Sequence, residues 1–231
     1  MFEIEKTRKT RVKICASLLA ADFGNLVDSV QAAEDAGCDE IHFDVMDGNF
    51  VPNLSFGPQI LETVRNVTKL PIEVHMMVKE PGRFIREFSD AGGTLFTIHY
   101  EACTDINKTL DKIAKTGMMA GIALKPETSA DSILGLLTEV SRILIMTVEP
   151  GLGGQQFLVG MLDKISEIKK LVGKIDGNLD IGVDGGIKID TAQMATEAGA
   201  NTLISGTGLF NYPDGLSAAV RLMRQNSSTP A

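Results

Sequence analysis

The sequence has no tryptophan, two tyrosines and only three cysteines among its 231 residues. Cys15, Cys38 and Cys103 are odd in number, widely spaced and without a Cys-x-x-Cys pair, which argues against a disulfide framework or a thiolate zinc knuckle. Unpaired thiols fit a reducing compartment, so a cytoplasmic location is expected. Positive charge is in deficit too. Lys plus Arg number 22 against 30 Asp plus Glu, a net charge of −8. Nucleic acids and anionic membranes demand a basic face, so neither is expected as a partner, and an anionic ligand must be gripped locally. No apolar run approaches the ~18 residues of a membrane span, and the opening MFEIEKTRKTRVK carries no signal-peptide core.

What the chain does have is 44% apolar residues and 23 glycines. A chain of this size buries roughly 70% or more of its surface, enough for a large core without metal or disulfide staples. No linker or low-complexity stretch divides it, so one domain over residues 1–231 is expected, with its core at about 12–225 and frayed ends at Met1–Arg11 and Asn226–Ala231. Short apolar or β-branched runs recur at Val12–Leu19, Glu40–Met46, Ile72–Val78, Leu95–Glu101, Met119–Lys125, Arg142–Val148, Leu179–Asp184 and Thr202–Gly206. Stretches of helical period lie between them and stop at Gly37, Gly92, Gly117 and Gly199, each shortly before the next strand. Eight such units of roughly 29 residues match the length of a βαβ step and imply parallel strands buried on both faces. The pattern predicts a (β/α)8 TIM barrel. An open doubly wound sheet competes less well, because the glycine-rich stretches come late in the chain and not after the first strand.

Barrel chemistry sits at the C-terminal strand ends. The polar residues there are Ser17, His42, Asp44, His75, His99, Glu101, Lys125, Thr147 and Asp184, and they include every histidine of the chain. His42 and Asp44 are two apart on a strand and share a face, with His75 on the neighbouring strand and Asp184 across the mouth. Two imidazoles and two carboxylates suit a divalent metal ion (Zn, Fe, Mn or Co), while a polar network plugging the barrel is the plainer alternative. Carboxylates on opposite sides of a mouth are also what a two-base proton transfer at carbon needs. The segments Gly151-Leu152-Gly153-Gly154, Gly185-Gly186 and Gly206-Thr207 offer bare backbone amides after strands 6, 7 and 8, where barrels seat phosphate. Met46, Met77 and Met146 either line an apolar pocket or fill core, whereas Met76 and Met119 are expected to pack against helices. Asp47 reads as a turn residue, Lys125 as a rim charge, His99 and Glu101 as supports, and Cys15 as core filling.

ASLLAADF, IHFDVMDGNFVPNLSFGP, VHMMVKEP, IMTVEPGLGGQQF and VDGGI, in register from about Val12 to Phe210, resemble the ribulose-phosphate 3-epimerase family. The resemblance implies a barrel of the ribulose-phosphate-binding type that interconverts ribulose 5-phosphate and xylulose 5-phosphate. It implies one divalent ion on His42, Asp44, His75 and Asp184, with Asp44 and Asp184 as the proton-transfer groups. Ser17, His75, Met46, Met77 and Met146 would contact substrate, and Gly151 to Gly154, Gly185, Gly186, Gly206 and Thr207 would grip the phosphate. A small-molecule ketose phosphate is the expected partner and a homo-oligomer, dimer or hexamer, the expected assembly. Three departures stand out: Cys15-Ala16 before the serine, Asn49 in place of a histidine, and Thr207-Gly208 in place of Ser-Ala. The last resembles the allulose-6-phosphate 3-epimerase branch, so D-allulose 6-phosphate is the alternative substrate. A Schiff-base aldolase on Lys125 and a sugar-phosphate-binding barrel without catalysis are weaker readings. The decarboxylases of similar barrels carry an Asp-x-Lys-x-x-Asp array, which His42-Phe43-Asp44-Val45-Met46-Asp47 does not contain.

Overall fold

The computed structural model describes residues 11–175 and 179–227. The expected frayed ends thus fall largely outside the described residues. Eight parallel strands, β1 (Lys13–Ser17), β2 (Glu40–Met46), β3 (Ile72–Met77), β4 (Leu95–His99), β5 (Met119–Leu124), β6 (Arg142–Met146), β7 (Asp180–Asp184) and β8 (Thr202–Ser205), form a closed barrel in sequence order. β8 closes on β1 through the register Lys13↔Thr202 to Ala16↔Ser205. Each strand lies inside its expected run and is shorter by a few residues at most, chiefly at the C-terminal end, where the chain turns into the loops.

Helices α1 (Leu26–Asp35), α2 (Pro58–Arg65), α3 (Ile85–Asp90), α4 (Ile106–Ala114), α5 (Met161–Val172), α6 (Ile189–Ala198), α7 (Thr207–Phe210) and α8 (Leu216–Asn226) surround the sheet. The four stop glycines adopt the positive φ that only glycine tolerates cheaply, 86° at Gly37, 97° at Gly92, 86° at Gly117 and 123° at Gly199. One crossover departs from the pattern: β5 and β6 are joined by a 3-10 stretch, Ala130–Leu136, in place of an α-helix. Its start is capped by Ser129 and its middle carries Gly135, so little in it favours extended α-helical pairing. Among the described residues no helix is long and apolar enough to cross a membrane.

Alternation along the strands separates two environments. Outward residues such as Ile41, Phe43, Val74, Met76, Phe96 and Ile143 form the main core against the helices. Inward positions are less apolar than the continuous runs suggest: Glu40, Glu73, Thr97 and Arg142 are all buried there. Cys15, Ala123, Leu144, Met146, Val148 and Ile204 make a separate apolar cluster. Met76 is fully buried as expected, but Met119 is 48% exposed because it opens β5 at the solvent-facing bottom of the barrel.

Glycines make room for the polar interior. A Cβ at Gly121 would lie 2.3 Å from Thr97 Oγ1, and one at Gly182 would lie 3.4 Å from Arg142 Cδ. Gly121→Val therefore overpacks the interior and is expected to cost about 1–3 kcal/mol. A denaturant titration checks this, and unchanged stability would refute it.

Candidate active site

β2 and β3 pair over six residues, and this register sets Asp44 beside His75. With alternate residues pointing inward, His42, Asp44 and His75 come together in a fully buried patch. His42 Nε2 is 3.1 Å from Asp44 Oδ1 and 3.2 Å from His75 Nδ1, and His75 Nδ1 is 3.0 Å from Asp44 Oδ1. Asp184 reaches in from β7, with Oδ2 3.7 Å from His42 Nε2 and 3.8 Å from His75 Nδ1. The four ligand-type atoms all lie within 4.8 Å of one another.

The hydrogen-bond network fixes what these atoms present. His42 Nδ1 donates to Glu73 Oε2 at 2.9 Å, which leaves Nε2 with a lone pair. His99 Nδ1 lies 3.3 Å from Glu101 Oε2 and His99 Nε2 lies 2.9 Å from His75 Nε2. A carboxylate only accepts, so His99 donates to Glu101 and accepts from His75, whose Nδ1 lone pair then also faces the centre. Burial pushes His99 down to about 4, which keeps it neutral. Burial would raise Glu101, but bonds from His99, Thr128 and the Lys125 amide hold it down to about 2.

Four acceptors thus converge with no proton supplied between them, and only positive charge satisfies them. The pair distances of 3.0 to 3.8 Å bracket the edge of about 3.4 Å expected of a tetrahedron with 2.0–2.1 Å bonds. The donor set therefore fits a divalent cation. Burial alone would lower His42, yet Asp44 and Glu73 raise it well above its ordinary range, a sign of how strongly the pocket attracts positive charge. The two aspartates are pushed apart. Burial favours the neutral form of both, but His42 and His75 hold Asp44 far below the carboxylate range. For Asp184, burial, opposed by His42 and aided by Asp44, leaves the carboxyl up at about 6.

Above this centre lies a pocket of about 570 Å³, counting its open mouth, lined by Ser17, Asp44, Met46, Met77, Met146, Gly151, Leu152, Gly153, Gly154, Asp184, Gly185, Gly186, Gly206 and Thr207. Every candidate from the sequence lines it except His42 and His75, which sit beneath its floor. No Lys, Arg or His is among the lining residues, so any anion there meets backbone amides. Ser17 Oγ donates to Asp44 Oδ2 at 2.9 Å. Met46 and Met77 pack with Val51 in an apolar wall, and Met146 belongs to the opposite one.

The glycine loops are held by their neighbours. Gly186 has φ 67°, and a Cβ there would sit 2.4 Å from the Phe157 backbone nitrogen. Thr147 Oγ1 contacts the Asp184 and Gly185 carbonyls at 2.9 and 2.6 Å and so pins the end of β7. Asn53 Nδ2 donates to the Gly151 carbonyl at 3.0 Å and ties the loop after β2 to that after β6. Leu152, 60% exposed, stands at the mouth. Asp47 shapes its turn by accepting from the Asn49, Phe50 and Lys79 amides, and Lys125 lies over the Phe50 ring outside the pocket.

The departures in sequence are accommodated. Cys15 is buried in the barrel interior and its thiol lies 3.6 Å from Glu40 Oε2, while Ser17 still reaches Asp44. A Cβ at Gly208 would meet the Ile187 carbonyl at 2.4 Å and Ser205 Oγ at 2.6 Å, so alanine does not fit there without a shift. Sequence reasoning missed Glu73, Thr97 and Arg142, which stand behind His42. The signal was available: charged residues in register with His42 and its neighbours at inward positions of otherwise apolar strands.

A closed parallel barrel with an amide-lined pocket over two imidazoles and two carboxylates defines a sugar-phosphate class of enzyme site. The chain belongs to the ribulose-phosphate 3 epimerase family, a family of isomerases, whose model matches residues 13–210. It is 43% identical over 206 residues to the ribulose-phosphate 3-epimerase of Bacillus subtilis (strain 168), covering 88% of this chain and 94% of that protein. The Arabidopsis thaliana chloroplastic ribulose-5-phosphate-3-epimerase is 39% identical (91% and 76% covered), and the Escherichia coli (strain K12) ribulose-phosphate 3-epimerase 37% (87% and 90%). Among solved structures, KGPDC from Streptococcus mutans in complex with a phosphate sugar superposes with a TM-score of 0.71 at 16% identity, covering 94% of this chain and 97% of that one. Thiamine phosphate pyrophosphorylase from Pyrococcus furiosus gives 0.64 at 13%, covering 94% and 96%. At such identities these two support the barrel alone.

Metal analysis of the dialysed chain is expected to return one divalent ion per protein, and His75→Ala, which deletes one lone pair, is expected to lose it. Full retention by His75→Ala would show that the ion sits elsewhere.

Proposed function

We propose that the chain is a metal-dependent ribulose-phosphate 3-epimerase that interconverts D-ribulose 5-phosphate and D-xylulose 5-phosphate by two-base proton transfer at C3 through a cis-enediolate. The observation that carries this reading is the arrival of Asp44 and Asp184 from opposite walls at one centre beneath an amide-lined pocket. His42, Asp44, His75 and Asp184 would hold the ion, and their nitrogen and oxygen donors suit Zn, Fe, Mn or Co. When bound, the ion supplies Lewis-acid stabilisation of the negative charge that develops on substrate oxygen.

The chain's own groups account for the rest. The amides of Gly151 to Gly154, Gly185, Gly186, Gly206 and Thr207 hold the phosphate and so fix C3 between the two carboxylates. One carboxylate takes the C3 proton, and the other carboxyl, already protonated, returns a proton to the opposite face. The carbon skeleton keeps its oxidation state and its atoms. A starting pair with one ionised and one protonated member is what the opposed environments of Asp44 and Asp184 favour. Ser17 holds Asp44 in place, and Met46, Met77 and Met146 would cover the planar intermediate with thioethers that have no acidic proton to trade.

Removing one base while keeping its shape, in Asp184→Asn, is expected to lower kcat by about 100- to 10,000-fold. In the wild type, solvent deuterium is expected at C3 of both pentulose phosphates. Undiminished turnover in Asp184→Asn would overturn the two-base assignment. With D-ribulose 5-phosphate and D-allulose 6-phosphate compared in one assay, the pentulose phosphate is expected to show the higher kcat/KM, as the relatives' names favour; the reverse order would transfer the function to the hexulose phosphate. Gly186→Ala closes on Phe157 and is expected to raise KM more than it lowers kcat, because it disturbs the grip and leaves the carboxylates in place.

A further inference from the structure

Glu73 lines no part of the pocket, yet three donors point at its fully buried carboxylate. Oε2 accepts from Arg142 Nη1 and His42 Nδ1, both at 2.9 Å, and Oε1 accepts from Thr97 Oγ1 at 2.6 Å. Arg142, 1% exposed, spans the barrel to reach Glu40 Oε2 at 2.8 Å and Asp180 Oδ2 at 3.1 Å as well. Lys13 Nζ closes the layer with bonds to Glu40 at 3.0 Å and Asp180 at 2.7 Å. Two cationic side chains thus meet three acidic ones, so the layer leaves an excess negative charge directly below His42.

A buried ion network is a weak way to stabilise a barrel, since well-packed apolar side chains commonly do as well or better. Here one of its anions is aimed at an imidazole whose other nitrogen faces the centre. We propose that Glu73, clamped by Arg142 and Thr97, is a positioning residue that sets the ligand strength of His42. It keeps the proton on Nδ1, turns the Nε2 lone pair to the centre and makes the ring a stronger donor. The two imidazoles are then unequal: an anion backs His42, while the neutral ring of His99 backs His75. This role rests on reading His42, Asp44, His75 and Asp184 as a divalent metal centre.

The test is a Co(II) titration of the full chain after chelator treatment, followed by the visible absorption of the bound ion and paired with thermal melting of the metal-free protein. Glu73→Gln keeps the shape and the acceptor facing Arg142 and His42 but removes the charge. It is expected to weaken Co(II) binding by about 10–100-fold, a loss typical of a deleted partner behind a metal-bound histidine. The bands of the bound ion are expected to shift. Arg142→Lys, which keeps the positive charge but not the three-way reach, is expected to show a smaller loss and serves as the test if Glu73→Gln does not fold. A folded variant that binds Co(II) as tightly as the wild type, with unchanged bands, would overturn the role and leave the metal centre standing. A wild type that takes up no Co(II) would overturn the centre and this role together.

Discussion

Four lone-pair atoms within 4.8 Å of one another, at the centre of a barrel, are unstable without positive charge between them. Much of the interior is arranged around that constraint. The imidazole tautomers are set from behind, by Glu73 for His42 and by the Glu101 to His99 chain for His75, so that no ring N–H points inward. Asp44 has both oxygens committed, Oδ1 to the imidazoles and Oδ2 to Ser17. Such a cluster is an expensive thing to bury, and two adjacent six- and seven-residue strands in full register supply the rigidity that keeps its members from relaxing apart.

The rest of the pocket works by short-range contacts. A chain of net charge −8 does not draw a phosphate dianion in from a distance, and the pocket has no basic side chain to do so locally. Backbone amides at the ends of three consecutive strands act only within hydrogen-bond range, so on the proposed reaction the grip supplies orientation more than attraction. The loops carrying those amides are correspondingly braced, by Thr147 under Asp184 and Gly185 and by Asn53 against Gly151. The methionine walls then surround the reacting carbon with polarisable but non-protic atoms, so any proton exchanged at that carbon passes through the carboxylates.

The strands and most of the pocket were legible in the sequence because a barrel converts position into place: the last inward residue of each strand faces the mouth. That rule alone collected Ser17, Asp44, Asp184 and the glycine loops into one pocket. It failed one layer down. Glu40, Glu73, Arg142 and Asp180 lie at or near the first residues of their strands, where a charged side chain is ordinarily a solvated edge, and nothing local in the sequence says that Arg142 has two partners on β2 and β3, far away along the chain. The 3-10 crossover after β5 was hidden for the opposite reason. The crossover rule requires some connection there and is indifferent to its type, and Gly135 inside an apolar stretch is a weak breaker whose effect depends on packing.

Near neutral pH, opposite proton occupancies of Asp44 and Asp184 matter for a reaction that must run both ways. If both carboxyls shared one environment, the free enzyme would hold two bases or two acids, and neither state can exchange a proton across a carbon. The structure separates them by hydrogen bonding: Asp44 is locked by two imidazoles and a serine, while Asp184, its side chain 17% exposed, touches the cluster only at 3.7 Å and beyond. The same asymmetry limits how far the pair can be tuned. Tightening Asp184 to match Asp44 would favour ionising both, and loosening Asp44 would cost the centre an acceptor it needs. Two-base exchange thus depends on a single difference in restraint between two otherwise identical side chains, and the layer beneath His42 keeps that difference in place.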